Sequence, residues 1–270
     1  MPTVRELRAK AGEKPITMLT AYDSPTAEIV DEADVDVILV GDSVGNTSLG
    51  YETTLPVTVD DVARHVGAVS RATKEALIVA DMPFLSFGVD EADSLENAGR
   101  MIKESGAHAV KLECGSHTVD LTETMVQLGI PVMAHLGLTP QHVHQYGGYP
   151  RQGTDPESAE RILDLAVAHD DAGAFALVLE HVPSNLAREV TEAIESPTIG
   201  IGAGPHCDGQ VLVFHDAVGV SEWTPSFSKR FGDARSEMTS AVEDYVDAVE
   251  SGEFPAEEHS HEETDLEDLY

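Results

Sequence analysis

Five charged side chains stand where apolar runs give way to polar ones. Asp42, followed by Ser43, ends "VDVILVGDS"; Asp81 ends "ALIVAD"; Lys111 and Glu113 end "AHAVKLE"; Glu180 ends "AFALVLE". His135 closes "IPVMAH" in the same way. Asp42, Asp81 and Glu113 end consecutive runs, and carboxylates brought together repel unless something positive is shared. An oxygen-binding divalent cation is the economical partner, and Mg2+ suits carboxylates combined with waters and a chelating substrate. A lone Asp at such a place also reads as a helix N-cap or loop residue; the three in series point to a metal site. Lys111 lies two residues before Glu113, so strand alternation puts both on one face. A buried lysine needs a partner, either Glu113 or a substrate anion, and a purely structural ion pair is the plain reading. Burial of Glu180 would raise its pKa and make it a better proton acceptor, against a salt-bridged structural role. His135 either binds a substrate oxygen or caps a loop. "GIGAG" (200–204) allows close backbone approach to a ligand and equally suits a tight strand end. The remaining histidines, including His142, His144, His259 and His261, lack metal-ligand spacing.

Something must carry these residues to one place. Short apolar runs at 16–20, 35–40, 76–80, 107–112, 130–134, 174–179, 197–201 and 217–220 alternate with helical patterns near 26–33, 59–73, 90–105, 117–128, 156–172 and 184–195. The segment "VLVF" (211–214) reads either as a strand or as a short helix. Near-continuous apolar strands alternating with helices form a parallel sheet covered on both faces. Eight such units predict an α/β fold, the (β/α)8 TIM barrel, with an N-terminal helix and C-terminal helices. A doubly wound sheet is the rival, and no G-x-G-x-x-G follows the first strand. In these barrels the chemistry sits at the C-terminal strand ends. Those ends read in order Tyr22 and Asp23, Asp42 and Ser43, Asp81, Lys111 and Glu113, His135, Glu180, the glycines of "GIGAG", and an end near Ser221. A last amphipathic helix is expected near 233–251, through Met238, Val242, Tyr245, Val246 and Val249. The expected organisation is a single barrel domain over 1–252 and an acidic, disordered tail over 253–270.

Composition narrows the partners. Asp and Glu total 49 against 16 Lys and Arg, a formal net charge of −33. Phosphate backbones would be repelled, so nucleic acid is excluded as a partner. No run approaches the roughly 20 apolar residues of a membrane helix, and no secretory signal is visible at the N-terminus. The two cysteines, Cys114 and Cys207, form no disulfide framework, which suits the reducing cytoplasm. Acidic residues lie along the predicted helix faces and lysine is scarce. That pattern predicts adaptation to high salt, where screening relieves self-repulsion.

Ten segments in order, "TAYD", "VGDSVG", "TLPVTVDDVARH", "ADMPF", "VKLE", "HLGLTPQ", "GGYPRQG", "LVLEHVP", "GIGAGPHCDGQ" and "HDAVG", give the chain over residues 17–220 a resemblance to the ketopantoate hydroxymethyltransferase family. The resemblance implies a (β/α)8 barrel and a transferase of pantothenate and coenzyme A biosynthesis. It implies Mg2+ at Asp42, Asp81 and Glu113, 2-oxo acid contacts from Asp42, Ser43, Asp81 and Lys111, Glu180 as proton acceptor and, less specifically, His135 lining the site. It further implies 3-methyl-2-oxobutanoate as substrate, a methylene-tetrahydrofolate-type pterin as one-carbon donor, 2-dehydropantoate as product through a Mg-stabilised enolate, and a homo-oligomer, often a decameric ring. Two rivals stand beside it: a Mg-dependent 2-oxo acid lyase of the isocitrate lyase or phosphoenolpyruvate mutase type, and a non-catalytic barrel serving in binding or assembly.

Overall fold

The computed structural model describes residues 2–261. Eight parallel strands close into a barrel in sequence order: β1 (Ile16–Thr20), β2 (Val37–Val40), β3 (Leu77–Asp81), β4 (Ala109–Glu113), β5 (Val132–Gly137), β6 (Ala176–Glu180), β7 (Thr198–Ile201) and β8 (Gly209–Leu212). The helices are α1 (Val4–Lys10), α2 (Ser24–Glu32), α3 (Val44–Thr47), α4 (Val59–Ala72), α5 (Glu91–Lys103), α6 (Val119–Gln127), α7 (Val143–Tyr146), α8 (Pro156–Asp171), α9 (Ser184–Ala193), α10 (Phe214–Ala217) and α11 (Ala234–Ser251). The closed parallel barrel is the expected (β/α)8 architecture.

The strands sort their side chains by alternation. Ile38, Val40, Ile78, Val110, Leu112 and Leu177 face the helical layer. Val37, Leu39, Val79, Ala109, Met133 and Val178 fill the barrel interior, where Leu7 of α1 joins them. Helix starts are well specified. Thr58 and Asp61 make a reciprocal capping box on α4, and Asp155 and Ser158 make another on α8, with Pro156 in its first turn. Each cap is worth about 1 kcal/mol. The inner face of α4 buries Val62, Val66 and Val69 at helical spacing, against the outer face of the sheet.

The eighth strand corrects the sequence reading. Residues 217–220 are not a strand; Ala217 ends α10, and the last strand is Gly209–Leu212, which takes in Val211 and Leu212 of the ambiguous "VLVF", whose Phe214 begins α10. Ser221 is therefore not at a strand end. The reason is steric. β8 closes the barrel by pairing with β1, Ile16 opposite Gly209, and a Cβ at Gly209 would lie 2.5 Å from the Ile16 carbonyl oxygen. Closure here demands a glycine, and Gln210 points outward and exposed, so only the second half of the strand carries an apolar signal.

The described residues divide into two compact units: 2–214 with 225–228, which hold the whole barrel, and 215–224 with 229–261. In the second unit α11 buries no residue, and Met238, Val242 and Tyr245 along it are 60%, 61% and 58% exposed. Residues 262–270 of the expected disordered tail lie outside the described residues. Among the described residues no helix is long and apolar enough to cross a membrane.

Candidate active site

The interior face of the barrel is apolar until its last turn of side chains. On β3 it runs Leu77, Val79, Asp81; on β4 Ala109, Lys111, Glu113; on β5 Met133, His135; on β6 Ala176, Val178, Glu180. Cross-strand register then sets the neighbours. Asp81 stands opposite Lys111, Glu113 opposite His135, and Gly137 opposite Glu180. Asp42 and Ser43 follow β2 on the turn into α3. The structure thus brings Asp42, Asp81, Lys111, Glu113, His135 and Glu180 to the C-terminal mouth, all but Glu180 buried and Glu180 nearly so, with 17% of its side chain exposed.

Lys111 finds a different partner from the one its own strand offers. Its Nζ lies 2.6 Å from Asp81 Oδ1 on the neighbouring strand, in an ion pair of two buried groups. Glu113 is two residues along on the same face, but cross-strand register places Asp81 level with Lys111, and side chains level with each other on adjacent strands are the closer pair. On its other side Lys111 Nζ is 3.3 Å from His135 Nδ1. A lysine only donates, so Nδ1 accepts and a neutral His135 carries its proton on Nε2. That Nε2 is 3.2 Å from Glu180 Oε2, close but off the axis of a hydrogen bond. Glu180, His135, Lys111 and Asp81 form one polar line across the mouth. Asp42 accepts from Gln141 through Oδ2 at 3.0 Å, and its backbone N–H donates to Asp81 Oδ2 at 3.3 Å. Ser43 Oγ and the Tyr22 hydroxyl are 2.8 Å apart.

Two glycines make this geometry possible. Gly137 has φ +95°, and a Cβ there would sit 2.3 Å from the Glu180 carbonyl oxygen. At Gly41 a Cβ would meet Ser43 Oγ at 2.7 Å. Any larger residue at either place would displace a site residue.

Burial drives the electrostatics. It pushes Glu180 up to about 7, against the opposing charges of Lys111 and His181. Glu113 is raised by burial and by the Asp42 charge, despite Lys111. Asp81 is raised by burial, opposed by Lys111 and reinforced by Asp42. Burial alone would lower Lys111, but the carboxylates of Asp81, Asp42 and Glu113 overrule it and keep the ammonium charged. His135 is held well below the usual imidazole range by burial and by Lys111, so it is neutral. The mouth therefore holds an excess of buried acid over one cation. Among the described residues no three His, Cys, Asp or Glu side chains make a ready-built metal cage.

Gln141 was not singled out in the sequence. It is an uncharged residue of a polar loop, yet it touches both Asp42 and Glu113. His142 Nδ1 stands 3.6 Å from Glu113 Oε2, and no spacing rule marks it either. Both cysteines are free, and Cys114 is buried with its thiol pushed up to about 12 by that burial, outside any reactive range.

Known proteins share this fold and much of this sequence. Solved structures with the same fold include a phosphonopyruvate hydrolase (TM-score 0.62, 11% identity, 98% of this chain and 93% of that one) and 2,3-dimethylmalate lyase, a PEP mutase/isocitrate lyase superfamily member (TM-score 0.59, 17% identity, 98% and 92%). At that identity they establish the fold alone. Sequence relatives go further. The proteins named 3-methyl-2-oxobutanoate hydroxymethyltransferase of Halobacterium salinarum and Natronomonas pharaonis, both halophilic archaea, are 67% and 68% identical, over 100% of both chains in the first case and 98% and 99% in the second. That of Geobacter metallireducens is 55% identical over 95% of this chain and 96% of its own. The family model described as ketopantoate hydroxymethyltransferase matches residues 2–257, which include every residue of the mouth. With the fold, the full-length match and the identities in agreement, the chain belongs to the ketopantoate hydroxymethyltransferase family of one-carbon transferases.

Proposed function

We propose that this enzyme removes the C3 proton of 3-methyl-2-oxobutanoate with Glu180, and that the resulting carbon nucleophile takes a hydroxymethyl group from a methylene-tetrahydrofolate-type pterin to give 2-dehydropantoate. The observation that carries the reading is the polar line across the mouth. A carboxyl raised to about 7 stands at one end and a cluster of buried carboxylates around one charged lysine at the other.

The donor set fits a divalent cation. Asp42, Asp81 and Glu113 bring three carboxyls against Lys111 alone, and burial drives Asp81 and Glu113 upward for want of positive charge. All their donors are oxygens, which suits Mg2+ held by one or two carboxylates with waters and substrate completing the shell. Asp42 and Asp81 would hold it, with Glu113 directly or through water. A solved neighbour of this fold, phosphonopyruvate hydrolase, was obtained as a complex with oxalate and Mg++. When bound, Mg2+ supplies Lewis-acid stabilisation of negative charge on the keto oxygen.

The chain's own residues do the rest. Lys111, kept charged, and the Ser43 hydroxyl bind the substrate carboxylate. The C3–H bond breaks, the proton passes to a Glu180 oxygen, and the electron pair moves into the C2–C3 bond and onto the keto oxygen. Neutral His135 lines the base, its Nε2 3.2 Å from a Glu180 oxygen. C3 then bonds to the one-carbon unit as its bond to one pterin nitrogen breaks; water adds the hydroxyl as the bond to the second nitrogen breaks, and the two freed nitrogens take up the C3 proton and the remaining water proton. We place the enzyme in the cytoplasm as a homo-oligomer; the exposed apolar stripe of α11 supports an assembly that covers it.

The test is hydrogen–deuterium exchange at C3 of 3-methyl-2-oxobutanoate in D2O, without pterin, followed by NMR. Exchange is expected with Mg2+, and is expected to vanish in excess chelator and in Asp81→Ala, whose circular dichroism should stay that of a folded barrel. Full exchange in either condition would rule the site out. Exchange that never leads to transfer when a pterin is added would favour lyase chemistry instead.

A further inference from the structure

Gln141 occupies an unusual place. It lies in the single 3-10 turn Pro140–His142 that follows β5, is 5% exposed, and touches the ends of three other strands. Its side-chain Nε2 donates to Asp42 Oδ2 after β2 and to the Met82 carbonyl after β3, each at 3.0 Å. Its backbone N–H reaches both carboxylate oxygens of Glu113 at the end of β4, at 3.2 and 3.1 Å. The two side-chain partners are acceptors only, so the carboxamide has to present its NH2 to them and its orientation is settled by chemistry. Both N–H bonds of the NH2 are thereby used.

We propose that Gln141 is a positioning residue for the divalent cation: it fixes the carboxylates of Asp42 and Glu113 in the orientations that receive the ion. The inference rests on the metal reading given above. Its physical basis is the type of donor. A lysine or arginine at this place would neutralise Asp42 and compete with the cation. An amide orients both carboxylates and leaves their charge for the ion. The two bonds act on different ligands from different atoms. The side chain sets Asp42, while the main chain, held by the turn after Pro140, sets Glu113. The Met82 carbonyl anchors the amide, so the orientation imposed on Asp42 is referred to the end of β3, where Asp81 stands. Groups that orient metal ligands from behind typically change metal affinity by about 10–100-fold when removed.

The experiment measures Mg2+ binding to the intact, substrate-free enzyme by calorimetry. Gln141→Met keeps length and volume but deletes both side-chain donors, and leaves the main-chain bond to Glu113. It should weaken Mg2+ binding by about tenfold or more, and raise the Mg2+ concentration needed for half-maximal C3 exchange in proportion. The exchange rate at saturating Mg2+ should recover most of its value. Gln141→Asn, a shorter amide that cannot span Asp42 and Met82 together, should fall between. It also serves if the Met variant does not fold. Asp31→Asn is the comparator. Asp31 is a purely structural clip whose carboxylate accepts the N–H groups of Lys74, Glu75 and Ala76. It should lower the melting temperature without moving the Mg2+ constant. If both Gln141 variants bind Mg2+ within twofold of wild type and lose only thermal stability, Gln141 is a structural clip too and the proposal fails. If wild type itself shows no Mg2+ binding, the metal reading fails first, a result recognisable without any variant.

Discussion

Replacing Glu180 by Gln separates two properties that the mouth holds in opposition. Glu180 ends a strand whose other residues are buried and apolar, and burial lifts its carboxyl from 4.5 to about 7. Each pKa unit corresponds to about 1.4 kcal/mol, so ionised Glu180 costs the folded state up to about 3 kcal/mol. The sign follows from linkage. A carboxyl whose folded pKa exceeds its unfolded value binds protons more readily when folded. The penalty is absent below about 4.5, grows as pH rises, and is complete above about 7. Glu180→Gln removes it. The variant should therefore be more stable than wild type at pH 8, by up to about 3 kcal/mol in urea unfolding, and the gap should close toward pH 4.5. Exchange at C3 should fall by about 10²–10⁴, because the basic oxygen is gone. In wild type, exchange should rise about tenfold from pH 6 to pH 8 as the ionised fraction of a group at 7 climbs from about one-tenth to nine-tenths. The affinity for 3-methyl-2-oxobutanoate should change little, since Lys111 and the carboxylates proposed to hold the metal remain. Exchange at the wild-type rate in Glu180→Gln would refute the assignment of the base. A variant less stable than wild type at pH 8 would refute the electrostatic account of its burial.

Two further expectations concern the frame around the site. A net charge of −33 should make both melting temperature and activity rise in molar KCl, where the screening length is only about 3 Å; equal stability in dilute buffer and molar salt would contradict salt adaptation. Gly137→Ala forces a side chain into φ +95° and within 2.3 Å of the Glu180 carbonyl oxygen. It should cost more than about 1 kcal/mol and abolish exchange, and an equally stable, active variant would show that Glu180 does not need the close approach of β5 and β6.

The residues most legible in the sequence were those that broke a strong pattern. Asp81, Lys111, Glu113 and Glu180 interrupt apolar strands, where a charge is costly enough to stand out, and the structure gathers them at one mouth. What pairs with what was less legible. Lys111 meets Asp81, 30 residues away in sequence and level with it only through strand register. The eighth strand was legible only as the ambiguous "VLVF", because closure against β1 selects Gly209 rather than an apolar residue at its start, while "AVGV" after it had the expected hydropathy without the expected backbone. Gln141 escaped for a different reason. An amide in a loop carries no charge and breaks no pattern, and its importance exists only once three strand ends surround it.

Because Asp81 faces Lys111, Glu113 faces His135 and Gly137 faces Glu180 across successive strand pairs, the mouth is a record of correct alignment between β3, β4, β5 and β6. A slip of one residue in any of these pairings would turn the functional side chain toward the helices. No partial barrel presents the site, so the capacity to bind ligand should appear late in refolding, with the final pairing rather than with early helix formation. Ligands that bind only the finished mouth then pull the folding equilibrium by mass action. For a chain with a net charge of −33, a ligand of that mouth would then act on folding as well as on chemistry, and its withdrawal would show first as a shorter-lived protein.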